Sequence, residues 1–168
     1  QVRQADYTQP ATLEAALAGV EKLLLISSSE VGQRLPQHRN VINAAKKAGV
    51  KLLAYTSILN AENSIMGLAF EHKETEQEIK ASGIPFVFLR NGWYSENYTA
   101  SIPAALQFNV FLGSAGEGKI ASASRSDYAA AAVAVLLGEN QAGKIYELAG
   151  DTAYTLADFA AGLSAQTG

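Results

Sequence analysis

Three times before Asn91 a helical segment, a glycine and an apolar run follow one another, and few folds accommodate that order. Pro10 and Thr12 open a stripe of Leu13, Ala16, Leu17 and Val20 with Gly19 near its end. Lys22 to Ile26 then runs apolar until Ser27-Ser28-Ser29 stops it, which reads as a strand buried on both faces. Pro36 stands where a helix N1 proline belongs; Val41, Ile42, Ala45 and Ala48 make the second stripe, ended by Gly49 before a strand over Val50–Ser57. The third unit is a charged helix over Leu68–Ser82, Gly83, and a strand over Ile84–Arg90 whose Pro85 must lie at its start. Strands alternating with helices imply an α/β fold with a parallel sheet and right-handed crossovers.

The flanks are less regular. Gln1–Tyr7 alternates like a strand already under way, and Asn91–Ser126 loosens into short apolar stretches and glycines. Asp127 is the expected N-cap of an Ala-rich helix over Tyr128–Leu137; Lys144–Ala149 reads as a short strand, and Thr155 to Asp158 has capping-box spacing for a last helix. No repeat or linker divides residues 1–168, so a single domain is expected. The lack of an opening Met and the stop at Gly168 read as cut ends.

Composition narrows the partners. With Lys+Arg 13 against Asp+Glu 16 and a net charge of −3, the chain has no basic field for nucleic acid or anionic lipid. Its longest apolar stretches, Leu23 to Ile26 and Ala129 to Leu137, fall short of the roughly 20 residues of a membrane span. Without cysteine it forms no disulfide and offers no thiolate, and two histidines make a poor metal inventory, so no metal site is assigned; a cytoplasmic setting fits best.

Parallel sheets take ligands at the carboxyl ends of their strands, which points to the segments after Ile26, Ser57 and Arg90. Ser27, Ser28 and Ser29 offer hydroxyls and backbone N–H groups to a ribose or phosphate, or form a polar turn. Thr56 and Ser57 close the next strand with two hydroxyls. After Arg90 come Asn91, Gly92, Trp93, Tyr94, Ser95, Glu96 and Asn97, an aromatic pair between amides that suits a flat heterocycle; the rival reading is a hydrophobic anchor for the next helix.

The blocks Val2–Tyr7, Val20–Gln33, Ala54–Ser57, Leu89–Tyr98 and Gly116–Asp127 closely resemble the NmrA-like atypical short-chain dehydrogenases, nearest to the bacterial NAD(P)H:quinone oxidoreductases of the type-2 class. The resemblance covers nearly the whole chain and implies a Rossmann-like doubly wound parallel sheet, a small substrate region over residues 94–126, NADPH as cofactor and a quinone as hydride acceptor. It assigns Asp6 to the adenine side, Ser27, Ser28 and Ser29 to the ribose and phosphate side, and Asn91 to Asn97 to the nicotinamide side, with Thr56, Ser57 and Trp93 facing the reacting ring. The family's Gly-rich phosphate turn and the basic residue that selects NADPH lie upstream of anything in this chain, so the first βαβ unit is absent. In a strand order 3-2-1-4-5-6 the Lys22–Ile26 strand then exposes an unpaired edge that invites aggregation or pairing with another chain unless the opening strand moves across to cover it, and a homodimer is expected among the partners.

Where ordinary short-chain dehydrogenases carry Tyr-x-x-x-Lys, this chain reads Glu71-His72-Lys73-Glu74-Thr75-Glu76, which fits direct hydride delivery to a quinone and leaves no catalytic residue assigned. Alternatives are a redox sensor that binds NADP without turnover and regulates a protein partner, and a chain inert for want of the phosphate turn. Three further patterns are read as coincidental. Gly113 to Lys119 has Walker A spacing but Ile120 in place of Ser or Thr; His72 and Glu76, at i and i+4, read as a solvated helix face; Asn97-Tyr98-Thr99 spells a glycosylation sequon.

Overall fold

The computed structural model describes residues 1–168. Four strands, β1 (Lys22–Leu25), β2 (Leu52–Ile58), β3 (Phe86–Asn91) and β4 (Ile145–Leu148), form one sheet in the order β1-β2-β3-β4. β1 pairs parallel with β2, Lys22 opposite Leu52, and β2 parallel with β3, Leu53 opposite Phe86. Of the first three helices, α1 (Pro10–Leu17) packs on α2 (Arg34–Ala48), and α2 on α3 (Gly67–Ser82), which also lies against β2 and β3. The helix–glycine–strand order therefore folds as expected into a Rossmann-like α/β sheet. Gly49 (φ 72°) and Gly83 (φ 77°) end α2 and α3 in the left-handed region, which glycine enters without steric cost.

The chain divides into two compact units. The first, Gln1–Asn91 with Ala131–Glu147, holds the core: Leu13 and Leu17 of α1, Val41, Ile42 and Ala45 of α2, Ile79 of α3, and Leu25, Leu53, Tyr55 and Phe88 of the strands. The second, Gly92–Ala130 with Leu148–Gly168, is built from α4 (Glu96–Thr99), α5 (Ile102–Phe108), the start of α6 (Arg125–Leu137) and α7 (Leu156–Thr167). Tyr98, Phe111, Tyr154 and Phe159 cluster there, with ring centroids 5.0 to 6.4 Å apart. Gly150 is required: a Cβ there would lie 2.1 Å from the Ser122 carbonyl oxygen. No helix is long and apolar enough to cross a membrane.

Several expectations need correction. Gln1 to Asp6 form no strand; alternation alone does not make one without a neighbour, and the Arg3 guanidinium instead donates to the carbonyls of Ala16 and Ala18 at 2.6 and 2.7 Å. β1 is not buried on both faces, because it is an edge strand: Leu23 and Leu24 are half-buried, and Ile26, just beyond it, is 60% exposed. Pro36 is the third residue of α2 rather than the first, still within the turn whose N–H groups have no helical partner. Asp127 lies inside the first turn of α6; the cap is Ser124, whose Oγ accepts from the Asp127 N–H (3.1 Å) while the Asp127 carboxylate accepts from the Ser124 N–H (3.2 Å). The Thr155–Asp158 capping box forms as expected.

Candidate functional site

The strand carboxyl ends of the first unit carry two buried polar clusters. After β1, the Ser27 N–H donates to Thr56 Oγ1 at 2.8 Å. Ser28 is held by three residues of α2: its N–H donates to His38 Nε2 (2.9 Å), its hydroxyl to Gln37 Oε1, and its carbonyl accepts from Arg34 Nε (2.6 Å). Because His38 Nε2 accepts, its proton is on Nδ1 and points to Thr75 Oγ1 at 3.0 Å, and Thr75 donates onward to the Glu71 carbonyl at 2.8 Å. His38 is fully buried, and desolvation, reinforced by the Arg34 charge, pushes its pKa down to about 4. Beside it the Tyr55 hydroxyl is hydrogen-bonded to His72 Nδ1 at 2.8 Å, and burial pushes His72 down to about 3 and Tyr55 up. Ser29 is exposed, and its hydroxyl and N–H have no partner within the chain.

The second cluster is ionic. Glu76 of α3, 2% exposed, accepts from the Ser57 hydroxyl at 2.6 Å and from Arg90 Nε and Nη2 at 2.9 and 2.7 Å. Arg90, at the end of β3, also pairs with Glu147 of β4 at 2.8 Å and with Glu62 at 3.3 Å, and Glu76 before all others raises its pKa. Glu147 in turn accepts from the Asn60 N–H at 2.9 Å, which fixes the loop leaving β2. Asn91 is buried, and its carbonyl accepts from Leu59 N–H at 3.2 Å. His72 and Glu76 thus do not form a solvated face. They sit on the buried side of α3 with Ala69, Thr75 and Ile79.

Asp6 lies in an exposed turn where its carboxylate accepts from the Thr8 N–H and hydroxyl, both at 2.7 Å; these bonds hold its pKa below the usual value.

In the second unit, residues 92–97 form a strap. The Gly92 N–H donates to the Leu148 carbonyl at 2.7 Å, Tyr94 bridges Ala123, and the Trp93 carbonyl accepts from the Ala123 N–H at 3.2 Å. The Ser95 hydroxyl lies 2.9 Å from that of Ser122, which lies 2.6 Å from the Tyr154 hydroxyl. The Glu96 carboxylate accepts from the Arg125 N–H at 2.9 and 3.1 Å, which lowers its pKa, and the Arg125 guanidinium lies 5.0 Å from the Tyr94 ring centre. Trp93 is 40% exposed, and Asn97 is exposed.

Set beside known proteins, residues 1–139 match the model of a family described as NAD(P)H-binding. The chain belongs to the NAD(P)H-binding family. Among similar proteins is quinone oxidoreductase 2 of Escherichia coli (strain K12), 66% identical over 167 residues, which are 99% of this chain and 58% of that protein. Among solved structures, NADPH-dependent quinone oxidoreductase of Escherichia coli complexed with NADPH superposes with a TM-score of 0.96 at 65% identity, over 99% of this chain and 59% of that one. Triphenylmethane reductase of Citrobacter sp. complexed with NADP(H) gives 0.95 at 38% identity, over 100% and 60%. The chain thus spans about three-fifths of the length of the relatives it matches.

The donor set suits a dinucleotide. The free hydroxyl and N–H of Ser29 and the half-buried hydroxyl of Ser27 suit ribose hydroxyls and phosphate oxygens. What the sequence reading missed is the buried support: Arg34, Gln37 and His38 on α2, Tyr55 on β2, and His72, Thr75 and Glu76 on α3. One signal was available. Arg34, Gln37 and His38 precede Val41 and Ala45 at helical spacing, so polar residues occupy positions of an apolar stripe.

Proposed function

We propose that the protein carrying this chain reduces quinones with NADPH, in the cytoplasm, and that residues 1–168 contribute much of the cofactor site, with residues 94–126 on the quinone side. One observation carries the reading: 65% identity and a TM-score of 0.96 to an NADPH-dependent quinone oxidoreductase complexed with NADPH. In this assignment Ser27, Ser28 and Ser29 serve the ribose and phosphate side and Asp6 the adenine side. Thr56, Ser57 and Trp93 serve the nicotinamide ring, flanked by Asn91, Gly92, Tyr94, Ser95, Glu96 and Asn97. A homodimer belongs to the same proposal, and sedimentation checks it.

NADPH, when bound, supplies the hydride that a quinone accepts. The chain's own residues bind and orient. The Ser57 hydroxyl donates inward to Glu76, and the Tyr55 hydroxyl is buried against His72 Nδ1 at 2.8 Å, so neither is turned outward as a proton source. That fits a reaction asking little acid–base work of the protein.

Trp93 is the only tryptophan of residues 1–168, so titration of this chain with NADPH while following its fluorescence, then addition of a quinone, tests binding and chemistry together. Saturable quenching followed by NADPH oxidation is the expected result. Quenching without oxidation overturns quinone reduction, and no quenching overturns the cofactor site.

A further inference from the structure

We propose that Ser28 is an anchor rather than a cofactor contact, and that His38 is a positioning residue which fixes the Ser27–Ser29 turn so that Ser27 and Ser29 meet the dinucleotide's ribose and phosphate. The proposal rests on the NADPH reading above and separates roles that it leaves joined. Every polar group of Ser28 is already engaged by α2: the N–H by His38, the hydroxyl by Gln37, the carbonyl by Arg34. Residues 34, 37 and 38 lie at i, i+3 and i+4, so one face of one helix reads all three groups. The three side chains are buried, out of reach of a ligand. An ordinary polar turn at a strand end needs no such arrangement. Ser29 is the reverse case, exposed and with its hydroxyl and N–H unused.

The direction of the hydrogen bonds makes His38 the decisive member. Thr75 donates its proton to the Glu71 carbonyl, so toward His38 it can only accept; His38 Nδ1 must donate, and Nε2 must present a lone pair to the Ser28 N–H. A leucine at 38 would fill the volume and offer no acceptor. A glutamine offers Oε1 at nearly the same reach.

The test compares His38→Leu, His38→Gln and Ser29→Ala with the unaltered protein, by amide hydrogen exchange at Ser28 without cofactor and by calorimetric titration with NADPH. Leaving one buried N–H unpaired corresponds to roughly a tenfold effect or more. His38→Leu is therefore expected to speed Ser28 exchange about tenfold or more and to weaken NADPH by a similar factor, the loss falling on the dissociation constant more than on kcat. His38→Gln restores both, and Ser29→Ala weakens NADPH while Ser28 exchange stays unchanged. Unchanged exchange in His38→Leu overturns the clamp, and faster exchange with unchanged affinity overturns its role in cofactor binding. If His38→Leu does not fold, Gln37→Leu replaces it, with smaller shifts expected in both readouts and the same overturning outcomes. Absence of NADPH binding by the unaltered protein would overturn the functional reading and with it the positioning role, whereas the exchange data taken without cofactor still show separately whether the clamp exists.

Discussion

The two buried clusters of the first unit hold neighbouring strand ends by opposite means. At β1 the supports drawn from α2, β2 and α3 are mainly neutral, two histidines kept unprotonated, a tyrosine and a threonine, with a single guanidinium, Arg34, that is itself paired with Glu71 at 3.5 Å. At β2, β3 and α3 they are charged, a carboxylate against a guanidinium with two outer carboxylates. The neutral cluster fails when a proton is added; the ionic one fails when a partner is removed. The difference follows from desolvation, which a neutral ring escapes and a charge tolerates only when paired.

The sharpest way to break the comparison is to remove Glu76. Glu76→Leu leaves Arg90 buried without its bidentate partner, and breaking such a pair costs about 3 to 5 kcal/mol, read from urea unfolding. Adding Arg90→Met should recover most of that loss, since the cost is a buried guanidinium left with only its outer, half-exposed partners Glu147 and Glu62 and not the missing contact. A double variant as unstable as the single one would show that packing, not charge, governs this cluster.

Acid tests the other side. His38 is held at about 4 and His72 at about 3, both below their ordinary value, so between those values and about 6.5 the unfolded chain binds more protons than the folded one. Stability is therefore complete above about 6.5 and falls as the pH drops through that window. From pH 7 to 5 the loss is about 2 kcal/mol per histidine, from the pKa difference alone. His72→Gln should roughly halve the slope of unfolding free energy against pH over that range. A slope unchanged by the substitution would place the acid sensitivity elsewhere.

Within the cluster at β1, Tyr55→Phe keeps the ring and removes only the hydroxyl partner of His72. Leaving the buried His72 Nδ1 unmatched costs about 1 to 2 kcal/mol, a milder effect measured by the same unfolding curves.

The same contrast explains what could be read from the sequence. The glycines at 49 and 83 and the apolar runs placed three helices and the strands they feed, because periodicity and helix ends are local properties. The opening alternation at Gln1–Tyr7 was misleading, since a strand depends on a neighbour that a local pattern does not supply. Ser27 to Ser29 and Asn91 to Asn97 stood out because small polar and aromatic residues follow strands there. His72 and Glu76 were misjudged for the opposite reason: charge and i, i+4 spacing usually mark a wet face, and only Ser57 and Arg90, distant in sequence, make burial of Glu76 tolerable. Such cross-element pairing has no short-range signature.

The smallest effect marks where the ionic cluster meets water. Glu62 pairs with Arg90 at 3.3 Å and with Lys80 at 3.8 Å but is 54% exposed, so solvent screens both contacts. Glu62→Gln should therefore change stability by no more than about 0.5 kcal/mol. Arg90 keeps Glu76 and Glu147 in that variant, so its guanidinium is never left bare. A loss as large as that of Glu76→Leu would mean that the outer carboxylate, not the buried one, carries the cluster, and the distinction between a dry pair and a solvated rim would fall with it.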